Sequence, residues 1–130
     1  MIALDTKVLA RLLLRDDARQ HERALQLLGA AETFTAPATV MLELVWVLEA
    51  NDCSVPDIVQ GLELLLGLPN FQPSHPEALR RALGLYLHGM DFADALHVCL
   101  SSASVQLTTF DKSFVKLAKR LGASPPVAAL

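Results

Sequence analysis

Cysteine is scarce in this chain. Cys53 and Cys99 are the only two, one in a polar turn and one in an apolar helical run, with no metal-ligand or redox motif around either. That excludes a disulfide scaffold and a structural zinc site and leaves two free thiols. Long apolar runs are missing too: no stretch approaches the roughly 18 residues of a membrane span. Positive charge is in deficit, with eleven Lys and Arg against fourteen Asp and Glu and a net charge of -3. A dedicated duplex-binding module is normally strongly basic, so composition speaks against a large phosphate-tracking surface. Internal repeats, low-complexity segments and dividing linkers are also absent, and the expectation is a single domain over residues 1–130.

What is present is mostly apolar. Hydrophobic residues make up 52% of the 130 positions, enough for a chain of this size to bury roughly two-thirds of its unfolded surface. The opening Met1-Ile2-Ala3-Leu4 is apolar but meets Asp5 and Lys7 at once, unlike a secretory signal, so a cytoplasmic protein is expected.

Strand-like and helix-like periods alternate along the chain. Strands are expected at Ile2–Leu4, Thr33–Thr35, Asn70–Pro73, Val105–Thr109 and Val127–Leu130. Helices are expected at Val8–Leu14, Ala18–Leu28, Ala38–Ala50, Asp57–Leu66 after Pro56, Pro76–His88, from Asp91 to Ser102, and from Asp111 or Ser113 to Leu121 before Gly122. Such alternation predicts an α/β fold: a three-layer α/β/α sandwich with a mostly parallel central sheet.

Four acids interrupt the most apolar segments: Asp5 after Ile2-Ala3-Leu4, Glu43 inside Val40–Leu48, Asp94 inside Phe92–Leu96, and Asp111 after Val105–Phe110. Carboxylates are rarely buried without a partner. In parallel α/β sheets, ligands bind beyond the carboxyl ends of the strands. Asp5 and Asp111 follow strands there, Glu43 lies one turn or so into the helix after a strand, and Asp94 begins a helix that leads into one. The expectation is one acidic rim. Carboxylates without His or Cys form a hard oxygen site suited to Mg²⁺ or Mn²⁺, whose chemistry fits hydrolysis of a phosphodiester.

The segments Leu4-Asp5-Thr6-Lys7-Val8-Leu9-Ala10-Arg11-Leu12-Leu13, Pro37–Leu48, Asp91-Phe92-Ala93-Asp94-Ala95-Leu96 and Thr108-Thr109-Phe110-Asp111-Lys112-Ser113-Phe114 resemble, in order and spacing, the four motifs of PIN-domain ribonucleases, especially VapC-type toxins of toxin–antitoxin pairs. The resemblance covers nearly the whole chain. It implies a Mg²⁺- or Mn²⁺-dependent endoribonuclease, usually a homodimer, neutralised by a cognate antitoxin protein. It carries over Asp5, Glu43, Asp94 and Asp111 as the catalytic, metal-binding acids, Asp91 as an additional acid, and Thr109 as a hydroxyl that orders ligands or water. Thr6 is placed to support the site. Lys7 departs from the family, which usually has Asn or Ser there. Its ammonium is expected to pair with the carboxylates, compete with a metal, or meet the substrate phosphate, and altered metal dependence follows.

Plainer roles compete. Asp5, Asp91 and Asp111 all suit helix N-caps. His97 reads as a core residue, and Trp46 as core or dimer interface. Arg11, Arg15, Arg19 and Arg23 recur every four residues, and Lys112, Lys116, Lys119 and Arg120 cluster; both sets suit solvated helix faces or a substrate-facing one. An aspartyl phosphatase is disfavoured because Asp5-Thr6-Lys7 lacks a second Asp two residues on. A catalytically weak RNA- or protein-binding module retaining the fold is the remaining alternative.

Overall fold

In the computed structural model, which describes residues Met1 to Leu130, strands and helices alternate as an α/β fold. The strands are β1 (Ile2–Ala3), β2 (Phe34–Thr35), β3 (Leu107–Thr109) and β4 (Val127–Ala129). The helices are α1 (Thr6–Leu14), α2 (Ala18–Leu28), α3 (Ala38–Ala50), α4 (Val55–Leu66), α5 (Pro76–Leu87), α6 (Phe92–Leu100) and α7 (Lys112–Leu121). The chain divides into two compact units, Met1–Pro76 and Glu77–Leu130. Both cysteines are free, Cys99 buried and Cys53 partly so.

In the first unit β1 and β2 pair in parallel, Ile2 opposite Phe34 and Ala3 opposite Thr35. The extended segment expected at Asn70–Pro73 does lie along β2. Phe34 N donates to Asn70 O at 2.8 Å, and Gln72 N to Phe34 O at 2.9 Å. It forms a single bridge, Phe34 to Phe71, rather than a strand, although Ser74 N also donates to Ala36 O at 2.9 Å. Helix α1 packs against α2 and α3, and α3 also against α4. The buried face of α3 is Val40, Met41, Leu44, Val45 and Leu48, each contributing roughly 1.5–3 kcal/mol by leaving water.

Caps explain where helix ends depart from expectation. Helix α1 starts at Thr6 rather than Val8 because Asp5 Oδ1 accepts from Thr6 N at 2.7 Å. Helix α4 starts at Val55 because the Ser54 hydroxyl accepts from Asp57 N. The four-residue arginine recurrence does not lie on one helix. Arg15 closes α1 in a left-handed conformation, φ 56°, and Asp17 caps the separate helix α2.

In the second unit β3 and β4 pair in parallel, Leu107 opposite Val127 and Thr109 opposite Ala129, and α7 packs on β4. The expected strand from Val105 is shorter because Val105 is 90% exposed and takes no part in the ladder. Helix α6 ends at Leu100, two residues before the expected Ser102, with Ser101 as its C-cap. Helix α7 stops at Gly122, which takes the left-handed conformation (φ 68°) that a side chain disfavours. Lys112, Lys116, Lys119 and Arg120 are all exposed on it, with Lys119 and Arg120 in its last turn, where cations complement the helix dipole.

Candidate active site

The first unit holds Asp5, Thr6, Lys7 and Glu43. Asp5 sits between β1 and α1 and is exposed, with one oxygen engaged as the α1 cap. Thr6 is the one buried polar residue of the chain, 7% exposed. Its hydroxyl points at Glu43 Oε1 across a long 3.5 Å contact, so the start of α1 and the first turns of α3 bring Thr6 and Glu43 together. Glu43 itself is exposed. Its apolar neighbours in sequence point elsewhere because successive helical residues rotate by about 100°. It shares its outward stripe with Thr39, Trp46 and Ala50.

That corrects the energetic premise drawn from the sequence. Asp5, Glu43 and Asp111 interrupt apolar runs without entering the core, and Asp94 alone among the four is partly buried. One further reading is also overturned. His97 is exposed rather than a core residue, since it lies on the side of α6 opposite Val98 and Cys99. Of the two roles expected for Trp46, core or dimer interface, its 50% exposure removes the first. Lys7 is exposed and forms no ion pair with a carboxylate, unlike Arg11, which pairs with Asp16. It lines a cleft with α2 instead.

The second unit holds Asp91, Asp94, Thr109 and Asp111. Asp91 caps α6, its Oδ2 accepting from Asp94 N at 3.1 Å. Asp111 caps α7, its Oδ1 accepting from Phe114 N at 3.0 Å. Thr109, at the end of β3, accepts from Asp111 N at 3.0 Å through its hydroxyl. This gives it a definite job: it fixes the turn that presents Asp111. Asp94 lies in the first turn of α6. Its carboxyl is pushed above the ordinary range by partial burial first, then by the charges of Asp91 and Asp111, with His97 acting weakly in the other direction.

The acids thus form two local groups, Thr6 with Glu43 and Asp94 with Asp91 and Asp111. No three His, Cys, Asp or Glu side chains stand ready-made as a metal cage. A PIN-domain family model matches residues 2–120. The chain belongs to the PIN domain family. A search of curated proteins finds no match. PIN domains are generally nucleases, their fold suggests nucleic-acid binding, and their nucleases typically use divalent metals. In this PIN domain the donor chemistry fits such an ion. The groups around Asp94 are hard oxygen donors whose mutual repulsion is the kind a divalent cation relieves.

The structure also presents a residue that sequence reasoning passed over. Phe110, 79% exposed, stands directly before Asp111 with its ring in solvent. In sequence it stands just past the expected strand Val105–Thr109, and the only available signal was its position between a strand-end Thr and an acid. Exposed aromatic rings beside nucleic-acid sites serve as base-stacking platforms.

Capping and site roles at Asp111 can be separated. Asn caps about as well as Asp, whereas Ala loses about 1 kcal/mol. Thermal melts should therefore show Asp111→Asn near the wild type and Asp111→Ala a few degrees lower. Equal melting of the two variants would remove the capping role.

Proposed function

We propose that the chain is a metal-dependent endoribonuclease that hydrolyses RNA phosphodiester bonds, the VapC-type toxin of a type II toxin–antitoxin pair. The observation that carries this reading is Asp94. A partly buried carboxyl is held beside Asp91 and Asp111, whose charges oppose its ionisation. The fold gains nothing from that repulsion, and a cation-dependent reaction does.

Asp5, Glu43, Asp94 and Asp111 are the acids proposed to hold Mg²⁺ or Mn²⁺ and carry catalysis, on the order of their motifs within a family match that spans both units. The match across the boundary also supports treating residues 1–130 as one functional domain. A bound divalent cation supplies charge neutralisation at the scissile phosphate and polarises its oxygens. The chain supplies placement. Asp91 fixes the first turn of α6 and so the backbone of Asp94. Thr109 fixes the turn before Asp111, and the Thr6 hydroxyl faces Glu43.

The partners that go with this reading are RNA, a cognate antitoxin and a second copy of the chain. The half-exposed Trp46, on the outward stripe of α3, suits the homodimer interface. No helix is long and apolar enough to cross a membrane, and the proposed site of action is the cytoplasm.

The test incubates RNA with purified protein and Mg²⁺ or Mn²⁺, then repeats the reaction with a chelator. Cleavage should require the metal. Expression of the wild type should also arrest growth, with relief on co-expression of the product of a neighbouring antitoxin gene. Cleavage unaffected by chelation would overturn the metal-dependent reading, and harmless expression would overturn the toxin assignment.

A further inference from the structure

A cleft of about 410 Å³ lies between α1 and α2, lined by Lys7, Arg11, Gln20 and Arg23 with apolar residues such as Val8 and Leu27 between them. It holds three cations and no carboxylate, in a chain whose net charge is -3. The three cations are not equivalent. Arg11 is bound to Asp16 at 3.0 Å and to Gln20, so its charge is largely answered and its side chain held in place. Lys7 and Arg23 are exposed and have no such partner.

Lys7 is also on the electrostatically wrong end of its helix. It is the second residue of α1, where the helix dipole favours an anion, and an anionic ligand in the cleft would offset that placement. We propose that the α1–α2 cleft is a subsite for the RNA phosphate backbone, with Lys7 and Arg23 as the phosphate contacts and Arg11, braced by Asp16 and Gln20, shaping the wall between them. The subsite rests on the reading of the chain as a ribonuclease. Its first lining residue, Lys7, stands two positions after Asp5 in the sequence. It also divides the recurring arginines by function: Arg11 and Arg23 line the cleft, while Arg15 and Arg19 do not.

The test measures binding of a short single-stranded 2′-O-methyl oligouridine, which resists cleavage, to the full chain by fluorescence anisotropy across a salt series in chelator. Variants are Lys7→Gln, Arg23→Gln and, as a control with the same charge change on the same helix, Arg19→Gln. Each lost phosphate contact should reduce the slope of log affinity against log salt by about 0.7, which is a loss of roughly fivefold to tenfold at about 50 mM salt. Arg23→Gln and Lys7→Gln should each show this, and Arg19→Gln should retain the wild-type slope.

Equal losses for Arg19→Gln and Arg23→Gln would mean general charge attraction and overturn the subsite. So would absence of binding by the wild type, or displacement of a labelled polyglutamate by mutation while RNA binding is unchanged, which would assign the cleft to an acidic protein segment. Cleft-dependent binding without metal-dependent cleavage of unmodified RNA would support the subsite and reject the nuclease. Cleavage with binding indifferent to Lys7 and Arg23 would do the reverse.

Discussion

Asp94→Asn should reduce metal-dependent RNA cleavage by about 10²–10³-fold, the range seen when a charge-stabilising group is removed from a reacting centre, without weakening the metal-free fold. Burial and the charges of Asp91 and Asp111 raise the carboxyl above its ordinary value. A raised folded-state pKa favours folding below the unfolded value, roughly 3.9. That contribution is lost as pH rises through the folded value. At neutral pH the ionised Asp94 is therefore a burden that the neutral amide lacks. In chelator the variant should melt no lower than the wild type, and the difference should close as the pH falls towards the ordinary Asp value. Added Mg²⁺ should raise the melting temperature of the wild type, since a ligand bound only to the folded state stabilises it, and should do little for the variant. Wild-type cleavage by Asp94→Asn would remove the residue from the reaction. A variant that melts several degrees lower in chelator would show that Asp94 is a structural group.

The sequence carried the helices better than the strands. Helices α2 and α3 have the expected bounds, because an apolar period coincides with terminal signals at Asp17, Gly29, Pro37 and Asn51. Helices α1 and α4 are expected from Val8 and Asp57, and the polar caps at Asp5 and Ser54 start each two residues earlier. Strands are decided by partners distant in sequence, so Val105 and Gln106 have strand-like composition and no ladder, while Phe71 pairs without belonging to a strand.

The site divides in the same way. The identity of the acids was visible because each breaks an apolar run, but the inference that they were desolvated was wrong for Asp5, Glu43 and Asp111, which turn outward. Linear neighbours do not define a helical environment. The roles of Thr6 and Thr109 needed the third dimension as well, one reaching from α1 to α3 and the other closing the turn into α7. So did the cleft that separates Arg23 from Arg19, since only the packing of α2 on α1 creates it.

Phe92→Ala should be the most damaging single change to stability in the second unit, at about 3–5 kcal/mol, a large part of the roughly 5–15 kcal/mol that holds a domain of this size. Phe92 is 1% exposed, and its ring meets Tyr86 edge-on at 5.4 Å and 74°. It is the first residue of α6, directly after the Asp91 cap and two before Asp94. The ring is thus the anchor of the turn on which like charges crowd. Burying an aromatic ring outweighs repulsion between partly solvated carboxylates, which is why the fold tolerates them there. Phe92→Leu keeps most of the buried volume and loses the ring pair, so about 1–1.5 kcal/mol is expected. Denaturant titrations of both variants in chelator give the comparison. If Phe92→Ala costs no more than Phe92→Leu, the anchoring role fails. If instead Asp94→Asn recovers part of the loss in Phe92→Ala, the competition between anchor and charge is measured directly.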